Sequence, residues 1–135
     1  MRKTNNENES IMIVAQAFYG NRTATKIKKK NLDYFIQGIL SPELIPLGEV
    51  DRTIVHIPGA EHLVLVYNKF QEEEALEDRD QLLKEKNYIL KPVAVIPELG
   101  LTLYSRCIVC RMDEEGEFES LEYEDGHLFM HYLSM

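Results

Sequence analysis

Residues 101–123 read LTLYSRCIVCRM-DEEG-EFESLEY, and this stretch decides the fold class. Residues 101–112 are rich in Leu, Val, Ile, Tyr and Cys, the composition of a strand. Asp113-Glu114-Glu115-Gly116 then has the form of a hairpin loop, with glycine at the position that needs a left-handed backbone. Residues 117–123 form the return strand. A hairpin pairs its strands antiparallel, so the sheet that holds this segment is expected to be antiparallel or mixed.

Working outward, residues 63–70 (LVLVYNKF) are a second confident strand and residues 11–19 (IMIVAQAFY) a third, buried one. Gly20-Asn21 signals a turn, and the weak alternation of residues 22–28 suits a more exposed partner strand. Asn31 is placed to cap a helix. Behind it Leu32, Phe35, Ile36, Ile39 and Leu40 fall on one apolar stripe, and Ser41-Pro42 ends the run. Residues 71–86 also read as helix, with acids in the first turn and Lys84 and Lys86 in the last. Residues 43–50 and 53–57 are short and broken by Pro and Gly, as edge strands or loops are. Residues 93–96 are a short extended piece between prolines. Residues 126–133 fit either a strand or a helix. There is no βαβ rhythm and no glycine-rich phosphate loop. The expectation is an α+β fold: one small domain over residues 11–135, behind a disordered, polar tail at residues 1–10. Its antiparallel or mixed sheet carries two or three helices on one face.

The 135 residues suit one domain, and folding at this size hides roughly two-thirds of the extended surface. The longest stretch without a charge, residues 10–21, is far short of the roughly 18 apolar residues a membrane span needs. No signal segment opens the chain, and the two cysteines make no disulfide framework, so a cytoplasmic protein is expected.

The net charge of −8 is unevenly spread. Residues 71–80 hold six acids and one base, and residues 113–125 hold eight acids and no base. These segments sum to −13, which leaves about +5 for the remainder. Glu72, Glu73, Glu74, Glu77 and Asp78, with Asp113, Glu114, Glu115 and Glu117, are therefore the candidate interaction surface. Such a surface attracts a basic protein partner by long-range steering. Lys26, Lys28, Lys29 and Lys30 form one basic cluster. The acidic balance and the lack of interleaved aromatics argue against nucleic acid as a partner.

Glu124, His127 and His131 are spaced i, i+3 and i+7, and on a helix they would share a face that could hold a metal. The zinc-hydrolase pattern needs a glutamate beside the first histidine, where Leu128 stands. Cys107 and Cys110 have the spacing of a redox or zinc pair, yet residues three apart on a strand point to opposite faces. They read as buried structural thiols. The loop after Asp113 lacks the calcium pattern, and no nucleophile elbow or triad is present. No cofactor is expected.

The strand Leu65-Val66-Tyr67-Asn68-Lys69 and the run Arg106-Cys107-Ile108-Val109-Cys110-Arg111, with its Asp113 to Gly116 turn, carry a resemblance. The likeness spans residues 11–123, through the opening hairpin and short helix to Ser120-Leu121. The chain resembles a family of small uncharacterised proteins found on phages, plasmids and conjugative elements of Gram-positive bacteria. The resemblance implies an accessory protein of a mobile element and carries no activity with it. Three readings follow. The first is a non-catalytic protein that binds a partner through its acidic surface. The second is an acidic mimic of nucleic acid that inhibits a host nuclease. The third is a metal or small-ligand binder, or an enzyme, built on the C-terminal histidines. A homodimer fits all three.

Overall fold

Cys107–Met112 is the central strand of the molecule. The computed structural model describes residues 9–16, 22–40 and 52–133. The expected turn at residues 20–21, the stop at residues 41–42, the segment 43–50 and most of the N-terminal tail lie outside them. In chain order the main elements are β1 (Ser10–Gln16), β2 (Arg22–Lys28), α1 (Leu32–Leu40), β3 (Arg52–Ile57), β4 (Ala60–Asn68) and α2 (Lys69–Lys86). They continue with β5 (Ala94–Ile96), β6 (Leu101–Leu103), β7 (Cys107–Met112), β8 (Phe118–Glu119) and α3 (Gly126–Phe129). The main sheet runs β2-β1-β7-β4-β3, with β8 also pairing to β7. Every pairing in it is antiparallel. The protein is thus a small α+β domain, with an antiparallel sheet and three α-helices among the described residues.

Both faces of that sheet are covered. Ile11 and Ile13 of β1, Val64 and Val66 of β4, and Ile108 and Cys110 of β7 pack against Leu32, Ile36 and Leu40 of α1. Their alternates Leu63, Leu65, Cys107 and Val109 point the other way. There they meet Ala94, Ile96 and Leu103 of the small β5–β6 sheet, with Phe129, Tyr132 and Leu133 from the C-terminal turns. A strand covered on both sides is apolar at every position. Leu63, Val64, Leu65 and Val66 are accordingly all 0% exposed. The helices therefore do not share one face: α1 lies on one side of the sheet and α3 on the other.

Residues 101–112 are not one strand. They divide into β6, which pairs with β5 in a separate two-stranded sheet, and β7, with Tyr104, Ser105 and Arg106 between them. The return strand also shortens to the two residues of β8. Beyond it Ser120 and Leu121 bond to Met12 instead: Met12 N donates to Ser120 Oγ at 2.8 Å, and Leu121 N donates to Met12 O at 2.9 Å. The hairpin loop itself is as expected, with Gly116 at φ 84°. Asn31 does not cap α1. It ends a 3-10 turn (Lys29–Asn31) that runs directly into the helix. Residues 126–132 are helical, a short α3 followed by a 3-10 turn, and Leu133 bridges to Ala94.

The cap of α2 is Asn68, the last residue of β4. Its Oδ1 accepts from Phe70 N at 2.9 Å and Gln71 N at 3.2 Å, two of the donors a helix start leaves unpaired. Asn68→Ala is expected to cost about 1 kcal/mol. A urea titration monitored by circular dichroism checks this, and an unchanged midpoint would show that neighbours or water replace the cap.

Candidate functional site

α2 leaves the sheet at the end of β4, where Tyr67 lies opposite Cys107. Of its 18 residues only Glu72 and Ala75 are buried. Glu73, Glu74, Glu77 and Asp78 are exposed, as is Asp80. Glu72 is not part of that surface. It is 7% exposed, and its carboxylate accepts from Tyr104 N at 2.9 and 3.0 Å and from Ser105 N at 2.8 Å. Those are the backbone donors set free where β6 ends and β7 begins. Arg79, one turn above Ala75, lies over the Tyr104 ring at 4.9 Å and bonds Asp80 at 2.9 Å.

The second acidic segment leaves the opposite end of β7. Six strand residues at about 3.3 Å each put roughly 20 Å between the two ends, so the segments do not merge. Asp113 shapes its loop: one carboxylate oxygen accepts from Glu115 N and Glu117 N, both at 2.9 Å. Glu114, Glu115 and Glu117 are exposed. Asp125 is 4% exposed, accepts from Glu122 N at 2.8 Å, and stands 3.4 Å from Arg111 and 3.5 Å from His62. Lys29 and Lys30 line a shallow cleft of about 350 Å³ together with Gly116, Glu117 and Phe118. The basic turn therefore lies against the acidic hairpin and offsets its field.

The C-terminal histidines are not brought together with Glu124. Glu124 lies in a 3-10 turn, His127 in α3 and His131 in the next 3-10 turn. The changes of helical pitch break the i, i+3, i+7 face. His127 meets Tyr123 edge-on at 6.5 Å, and His131 lies against Tyr132 at 3.9 Å. Among the described residues, no group of three His, Cys, Asp or Glu side chains could hold a metal. Cys107 and Cys110 are free and buried, one in each of the two cores. Burial pushes both thiols up to about 12, and Glu72 adds to the rise at Cys107.

One group of residues escaped the reading of the sequence. Gln71, Ser105 and Arg106, with Leu40, Glu74 and Asp78, line a cleft of about 170 Å³ at the base of α2. Ser105 is 4% exposed, and its hydroxyl has no hydrogen-bond partner. The Gln71 amide nitrogen is buried without a partner too. An unsatisfied buried donor costs about 1–3 kcal/mol, so two in one place call for a reason. A polar Ser-Arg pair between two apolar runs was the one local signal of this site.

No protein-family model matches the chain, and no curated protein or solved structure matches it.

Proposed function

We propose that this protein is a non-catalytic interaction module that holds a basic protein partner against the outer face of α2. The observation that carries this reading is the isolation of the helix. It has 18 residues and buries two side chains, so the fold uses little of it. A surface helix without an apolar stripe toward the core calls for another source of support. Its first three turns present Glu73, Glu74, Glu77, Asp78 and Asp80, while Leu83, Tyr88 and Ile89 beyond them are 50%, 43% and 77% exposed. Acids that steer a basic surface, followed by apolar side chains that anchor it, have the composition of a binding epitope. The acidic hairpin is the weaker candidate, because Lys29 and Lys30 stand beside it.

No helix among the described residues is long and apolar enough to cross a membrane. Two unpaired buried thiols fit a reducing compartment, and we place the protein in the cytoplasm on that ground. The resemblance to proteins of mobile elements supports an accessory role there.

The test is capture from bacterial lysate at low salt, with nuclease, using three baits. The triple change Glu73→Lys, Glu77→Lys and Asp80→Lys is expected to weaken capture of the main partner about 100-fold. The triple change Glu114→Lys, Glu115→Lys and Glu117→Lys should leave it within about fivefold. Equal loss with both baits would mean that net charge alone is read, and no loss with the first would remove α2 from the interface. Competition by added DNA for the same partner would favour the nucleic-acid mimic.

A further inference from the structure

We propose that the cleft at the base of α2 binds a small zwitterion of the free amino-acid class. Its carboxylate is received by Ser105, Gln71 and Arg106, and its ammonium group faces Glu74 and Asp78. This goes beyond the docking role of the outer face of the helix and does not depend on it.

The floor of the cleft is a set of donors without acceptors. The Ser105 N–H is bonded to the Glu72 carboxylate at 2.8 Å, which anchors its backbone beside the cleft. Its hydroxyl is buried there with nothing to bond. The Gln71 amide nitrogen, on the first turn of α2, is buried at the same place and equally unpartnered. Arg106 follows Ser105 in the chain and lines the same cleft, half-buried and with no ion pair among the described residues. A hydroxyl, an amide N–H and a guanidinium lining one cleft are complementary to a planar oxyanion that can take several hydrogen bonds. A carboxylate on a guanidinium is the best-matched pair of that kind.

The rim narrows the class. Glu74 and Asp78 are exposed carboxylates at the mouth of the cleft, four residues apart on one side of α2. They oppose a dianion such as phosphate and favour a ligand that carries a positive charge next to its negative one. Among the described residues Leu40 and Ala75 supply the apolar wall, enough for a short aliphatic portion. The volume, about 170 Å³, is below the roughly 300 Å³ at which drug-sized sites begin, so the ligand is small.

The experiment is an NMR titration of the full chain, following backbone amides and the Gln71 side-chain amide. The probes are the individual free amino acids, with acetate, methylammonium and inorganic phosphate as partial ligands. At least one amino acid is expected to shift Ser105, Arg106 and Gln71 in a saturable way, at least about tenfold more tightly than acetate or methylammonium. Arg106→Gln and Asp78→Asn should each weaken that binding about tenfold. Ser105→Ala should weaken it as well without lowering the melting temperature, because the hydroxyl it removes bonds nothing in the free protein. A loss of stability in Ser105→Ala with unchanged binding would make the hydroxyl structural and overturn its assignment. Phosphate saturating the same signals as tightly as any amino acid would overturn the zwitterion. The absence of a saturable shift with every amino acid would overturn the site itself. None of these outcomes bears on capture of a protein by Glu73, Glu77 and Asp80, so the two proposals fail separately.

Discussion

Glu72→Ala is expected to lower the free energy of unfolding by about 3–5 kcal/mol, a large part of the roughly 5–15 kcal/mol that holds a domain of this kind together. The carboxylate accepts from two backbone N–H groups, Tyr104 N and Ser105 N, where the chain passes from the small sheet into β7. Neither β5 nor β4 takes these donors: the β5 ladder on β6 ends at Leu103, and the β4 ladder on β7 begins at Cys107. Alanine leaves both N–H groups without a partner beside a buried core, and each costs about 1–3 kcal/mol. Glu72→Gln keeps one acceptor oxygen but turns an NH₂ group toward the other donor, so about 2 kcal/mol is expected for it. Glu73→Ala, one residue along and exposed, should stay within about 0.5 kcal/mol of the parent. Urea titrations of the four proteins decide the matter. A loss below about 1 kcal/mol for Glu72→Ala would mean that water reaches the joint and replaces the carboxylate.

Glu72 also marks the boundary of what could be read from the chain. The strands around residues 11–16, 63–67 and 107–110 were legible because a covered sheet needs apolar side chains at every position, and that requirement is written locally. The stripe of α1 and the left-handed glycine of the last hairpin were legible for the same reason. The opposite facing of Cys107 and Cys110 follows from strand alternation alone, and the two thiols do enter different cores. The break at Tyr104 was not legible, because the group that causes it lies 32 residues earlier on a helix. Composition shows that Glu72 is charged and gives no sign of what it bonds, so it was counted with its exposed neighbours. The helices were expected on one face because the hairpin signals favour an antiparallel or mixed sheet with its helices on one side. The tail that covers the opposite face does so with single side chains, Phe129, Tyr132 and Leu133, on turns of changing pitch. The small cleft draws on α1, α2 and the 104–106 joint, three segments that come together only after folding.

The thiols give the largest expected pH effect. Both have an ordinary value of 9.0 and are raised by burial to about 12 in the folded protein. Between those values the unfolded chain releases two protons that the folded chain keeps. The folded state then binds more protons than the unfolded one, so stability falls as pH rises. Below pH 9 the contribution is fully present, and it is lost across the window from 9 to 12. Each unit of separation corresponds to about 1.36 kcal/mol, so the two thiols together lose about 3 kcal/mol between pH 9 and pH 10.5. Tyr132, whose hydroxyl bonds Glu98 at 2.5 Å and is raised by that bond, adds to the loss above pH 10. The thiol share is isolated by comparing urea titrations of the parent with those of the double variant Cys107→Ala, Cys110→Ala over the same range. The variant starts somewhat lower, because each change leaves a small cavity. Its decline with pH should be shallower by about 3 kcal/mol over that span. Parallel declines would show that the folded protein ionises its thiols as readily as the unfolded chain does. Hydroxide or water would then have to reach the middle of β7 from both sides, and the covered sheet described here could not be the folded state.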